Sequence, residues 1–123
     1  MGNKFANNQS YDLGLVSRNA PRASAILKAM SNRHRLLILC QLVNGEKSVG
    51  QLEKFIGLSQ SALSQHLARL RHEDLVKTRR QAQTIFYSLN GDEATSIIKA
   101  LYVICAVADG NDIDDQIKQP AFG

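Results

Sequence analysis

Tryptophan is absent from this 123-residue chain and aromatic residues make up only 6% of it, which leaves any core to leucine, isoleucine, valine and alanine. That balance favours a helix-rich domain, and the length suits one domain with a modest core. No apolar run approaches the ~20 residues needed to cross a bilayer, and the N-terminus, Met1-Gly2-Asn3-Lys4-Phe5-Ala6-Asn7-Asn8, lacks the apolar region of a signal peptide. A cytoplasmic protein with no membrane partner is expected. Gly2 is not a myristoylation site, because Ala6 stands where that motif wants Ser or Thr. Cysteine is scarce too: Cys40 and Cys105 are too few for a disulfide framework and lack C-x-x-C spacing, so in the cytosol they rest as thiols. His34 and His72 have no acid or thiol at a ligand spacing, and no adjacent Cys/His pair suggests a nucleophile with its base. These absences argue against an enzyme and imply no cofactor.

Charge is present but uneven. Asp109, Asp112, Asp114 and Asp115 against Lys118 make the tail acidic, whereas residues 1–108 carry 14 basic and 7 acidic side chains, a net +7. A basic body suits a polyanion such as nucleic acid. Residues 1–18 are polar and read as a flexible N-terminal arm, 19–109 as one folded domain, and 110–123 as an acidic mobile tail.

Within the domain, helical spacing begins near Asn19, with Ala23, Ile26, Leu27 and Met30 apolar and Pro21 in the first turn. Ser31 is placed to cap a second, largely buried helix ending at Gly45. Ser48-Val49-Gly50-Gln51 reads as a capping box for a short third helix closed by Gly57. Ser59 then caps a fourth, in which Leu63, Leu67 and Leu70 share one face. Ser61, Gln65, Ala68 and His72 take the opposite face, with Ser64 and Arg69 flanking it. A helix with leucines on one side and small, amide-bearing residues on the other can press into a groove and hydrogen-bond to bases or phosphates. After Glu73-Asp74 the period changes to about two, and Leu75–Arg80 and Thr84–Leu89 read as a hairpin around Gln81-Ala82-Gln83. Lys77, Arg79 and Arg80 lie on its first strand or tip, in reach of phosphates. Asn90 is placed to cap a last helix whose apolar residues, Ala94 to Ala108, exceed what one small domain buries, which suggests a partner chain. The fold class is mainly α with a β-hairpin wing: a winged helix-turn-helix of four helices, two strands and a final helix.

The run from Ser48 to Leu89, and above all L-S-Q-S-A-L-S-Q-H-L-A-R-L-R from Leu58 to Arg71, resembles the winged helix of ArsR-type bacterial transcriptional repressors, and the likeness spans about residues 20–108. It implies a homodimer held by its first and last helices that binds inverted-repeat, double-stranded DNA operators and is released by an inducer. By position it places Gln60, Ser61, Ser64, Gln65 and His66 at DNA and Arg79 and Arg80 in the wing. On the helical wheel His66 falls beside the leucine stripe, so it either reaches a phosphate or packs.

Metal sensing is not expected at the family's sites: Ser48 and Gly50 stand where a C-x-C thiolate pair would be, and the last helix has no His. Cys40 and Cys105 match instead the cysteine pair of the biofilm growth repressor and sulfide-responsive subgroup. There, reactive sulfur species or other oxidants bridge the pair and weaken DNA binding. Free cysteines are also common as small buried apolar residues, so core packing competes with redox sensing for Cys40 and Cys105. A thiol enzyme and a winged helix used only for protein interaction are the remaining alternatives.

Overall fold

The computed structural model describes residues 10–110. Residues 1–9 of the expected arm and 111–123 of the expected tail lie outside them. Helix α1 spans Leu13–Met30 and α2 Arg33–Val43; a two-residue strand β1, Lys47–Ser48, leads into α3, Val49–Ile56, and then α4, Gln60–His72. Strands β2, Val76–Gln81, and β3, Thr84–Leu89, form the wing, and α5, Glu93–Ala108, ends the domain.

Helix α1 starts six residues before the expected Asn19, within the stretch read as an arm, because Asp12 caps it by accepting from the Leu15 amide at 3.1 Å. Pro21 therefore lies inside the helix. Residues 10–21 are all exposed, so water can hydrate the Ser17 carbonyl that the proline cannot serve. The cap of α2 is Asn32, which accepts from the amides of His34 and Arg35, and Ser31 ends α1. Ser48 makes the full capping box with Gln51, and Gly57 closes α3 in the left-handed region at φ 77°. Asn90 does not cap α5. Its side chain donates to the Asp74 carbonyl at 3.1 Å, joining the end of the wing to the turn after α4, and α5 begins after Asp92 with no side-chain cap.

The sheet is antiparallel in the order β1-β3-β2. Its register pairs Val76 with Leu89 and Gln81 with Thr84, so the hairpin turns on Ala82-Gln83, with Ala82 at φ 55°. The core gathers Ile26, Ala29 and Met30 from α1, Ile38, Leu39 and Leu42 from α2, and Leu52 from α3. Leu63, Leu67 and Leu70 of α4 complete it with Leu75, Val76, Ala94 and Ile98. Burial of the three α4 leucines fixes which face of that helix remains outside.

Candidate nucleic-acid interface

Helix α4 is capped by the Ser59 hydroxyl, which accepts from the Ala62 amide at 3.2 Å. Its leucines are at most 1% exposed, while Gln60, Ser61, Ser64, Gln65, Ala68 and His72 are exposed. Among the described residues, the side chains of Gln60, Ser61, Ser64 and Gln65 make no hydrogen bond, so their amides and hydroxyls are available to an outside partner. Arg69, Arg71 and His72 fill the last turn, where cations complement the helix dipole. Gln60 also lines a groove of about 410 Å³ between α3 and the wing tip, with Ser48, Gly50, Gln83 and Thr84 among its walls. The hydroxyl of Ser48 is taken by its capping bond at 3.1 Å.

His66 is half-buried on the flank of α4 that faces α2, with Nδ1 3.4 Å from Nη1 of Arg35 and its ring 5.6 Å from that of His34. Burial, then the charges of Arg35 and His34, hold its imidazole below the usual value. Of the two readings of His66, the structure shows a packed side chain in the free protein.

The wing cations differ from one another. Lys77 and Arg80 are exposed and have no polar side-chain partner among the described residues. Arg79 is held by Glu46 through a pair of bonds at 2.9 and 2.6 Å, donates to Gln81 at 2.8 Å, and lies 4.6 Å over the Phe86 ring. The Glu46 bond raises the Arg79 value and depresses that of the carboxyl. Glu46 is 33 residues away, and no local pattern announces it. Because the pair is exposed, it contributes little stability but competes directly with a phosphate. Glu46→Gln is expected to free Arg79 and to steepen the dependence of log affinity on log salt by about 0.9 on random-sequence duplex DNA. An unchanged slope in salt titrations would show that Arg79 stays on Phe86.

Cys40, half-buried against the core, and Cys105, exposed on α5, are free thiols standing apart from one another. Burial raises the Cys40 value, and Cys105 raises it further. Arg35 supplies no relief, since its Nε donates to the Ala29 carbonyl at 2.6 Å and its Nη1 faces His66. Among the described residues no group of three or more His, Cys, Asp or Glu could hold a metal ion, and no helix is long and apolar enough to cross a membrane.

The family model for bacterial regulatory proteins of the arsR family matches residues 32–78. The transcriptional activator HlyU of Vibrio cholerae is 51% identical over 87 residues, covering 71% of this chain and 81% of that protein. The biofilm growth-associated repressor of Xylella fastidiosa strain 9a5c is 44% identical over 92 residues, 74% of this chain and 81% of its own. The crystal structure of the transcriptional repressor BigR from Xylella fastidiosa superposes with a TM-score of 0.73 at 40% identity, over 76% of this chain and 96% of that one. A leucine-seated helix with a free Ser and Gln face, a hairpin wing beside it and these likenesses lead to one assignment. The chain belongs to the ArsR family of bacterial regulatory proteins and is a DNA-binding, winged helix-turn-helix transcriptional regulator, not an enzyme.

Proposed function

We propose that the protein acts in the cytoplasm as a homodimeric repressor, seating α4 of each protomer in the major groove of an inverted-repeat operator. The observation that carries this reading is the exposed, unpartnered row of Gln60, Ser61, Ser64 and Gln65 on a helix whose other face is locked into the core. Gln60 and Gln65 read base edges, the serines and Arg69 hold the backbone, and Lys77 and Arg80 meet phosphates beyond the groove. Arg79 joins them once DNA displaces Glu46, and His66 acts at the edge of the same surface. The dimer reading is supported by apolar side chains left in water on α1 and α5, among them Leu13, 74% exposed, and Ile104, 61% exposed.

Control lies in Cys40 and Cys105. The exposed Cys105 attacks first, because burial raises the Cys40 value and disfavours its thiolate. Its thiolate takes the sulfane sulfur of a persulfide, RSSH, forming Cys105–SSH and releasing RS⁻. Cys40 then gives up its proton to the released RS⁻, and its thiolate attacks the Cys105 sulfur and expels HS⁻, leaving a disulfide. A direct bond needs Cα atoms within ~7 Å, so two separate thiols are joined by a helix shift or by a longer sulfur chain. Either change moves α2 against α5 and respaces the two recognition helices.

Footprinting of the region upstream of the protein's own gene, before and after persulfide treatment, tests both parts. The expected footprint is an inverted repeat with half-site centres ~34 Å apart or a multiple of it. Treatment should remove the footprint together with the appearance of a Cys40–Cys105 link in mass spectra. A footprint that survives treatment would leave the cysteines as packing residues, and no footprint in either state would sink the repressor reading.

A further inference from the structure

Beside the exposed face of α4, on the flank turned toward the start of α2, four basic side chains come together. Arg35 brings Nη1 to 3.4 Å from Nδ1 of His66, and the ring of His34 lies 5.6 Å from that of His66. Arg69, one turn beyond His66, is close enough for its charge to lower the Arg35 value, after the larger effect of burial. All four are half-buried. No carboxylate figures among the groups that shift Arg35 or His66. Glu73, which ends α4, is turned instead toward Arg22 on α1 at 3.6 Å.

Among the described residues Arg35 and Arg69 have no counterion, and their like charges repel, yet this group is held in place. Arg35 is anchored through Nε to the Ala29 carbonyl at 2.6 Å. The amides of His34 and Arg35 are taken by Asn32 at 3.0 and 3.1 Å, so this flank presents side chains rather than bare helix amides. An arginine fixed by Nε, whose outer nitrogen meets only another base, is arranged for an anion.

We propose that Arg35 and His34 of α2 complete, with His66 and Arg69 of α4, a clamp for one backbone phosphate at the edge of the major groove, and that DNA closes the clamp by drawing a proton onto His66. This rests on the reading of α4 as the helix that enters DNA, and adds to it a second helix and a proton. A guanidinium only donates, so Nδ1 accepts in the Arg35 contact and the neutral ring carries its hydrogen on Nε2. When a phosphate arrives, a proton from solvent adds to Nδ1, the Arg35 contact breaks, and Arg35 Nη1 and the imidazolium N–H groups become donors to the phosphate oxygens. Among the described residues the groups acting on His66 are Arg35 and His34 from α2, both basic, with Arg69 acting on Arg35 in turn, so only the incoming anion compensates the added charge. Binding that takes up a proton strengthens as pH falls and weakens as pH rises through the imidazole value of the complex. The change is at most about tenfold per pH unit for one proton.

The test is an NMR titration of the imidazole resonances in the free protein and in its complex with random-sequence duplex DNA. His66 should titrate below the ordinary imidazole range when free and above it when bound. A His66 titration unmoved by DNA overturns the clamp while leaving the DNA-reading role of α4 intact; failure to bind duplex DNA at any salt overturns both. Arg35→Gln gives a second readout: a shallower slope of log affinity against log salt, by about 0.9. An unchanged slope in a variant with native circular dichroism also overturns the clamp.

Discussion

Leu67→Ala is expected to lower stability by about 3 kcal/mol, within the range of buried leucine truncations. Leu67 is 1% exposed and stands between Leu63 and Leu70 on the stripe that seats α4. Removing its methyl groups loses their transfer free energy and leaves a cavity that helices held at several other contacts close only in part. For a domain of this size the melting temperature should fall by roughly 10–25 °C, as read by circular dichroism at fixed protein concentration. DNA affinity should fall with it, because the helix that carries the Ser and Gln face loses its seat. A loss below about 1 kcal/mol would mean that the stripe is not the anchor of α4.

Gln65→Ala should do the opposite, sparing the fold and removing discrimination. The side chain is exposed and makes no hydrogen bond among the described residues, so its truncation should change stability by no more than about 0.5 kcal/mol. A glutamine on a base edge contributes about 1–3 kcal/mol of preference, so the variant should lose roughly ten- to a hundredfold of its selectivity for an operator. Its affinity for random duplex should change far less, because backbone contacts supply that term. Parallel titrations on the two DNAs separate these effects. An equal loss on both would make Gln65 a backbone contact.

Features governed by near neighbours in the chain were legible from the sequence. Ser48 with Gln51, Gly57 after α3 and the leucine spacing of α4 each express local geometry, and each appears where the pattern puts it. Ser31 and Asn32 show the limit: both are good caps, and only the backbone path decides that Asn32 takes the role. Asn90 is a similar case, since its side chain is drawn to Asp74, 16 residues away, and not to the helix that follows. Strand β1 is two residues long, too short to show any period. The exposed face of α4 follows directly from its buried one. The partners of its flanking cations do not, because Arg79–Glu46 and Arg35–His66 each join residues more than 30 positions apart. For the cysteines, helical periodicity gives a face but no distance.

The most direct test of the central claim is a competition titration, at one salt concentration, between DNA taken from immediately upstream of the protein's own gene and random duplex of equal length. The Ser and Gln face of α4, presented twice by the proposed dimer, predicts a preference of about a thousandfold or more for the upstream DNA. Equal affinity for the two would contradict it.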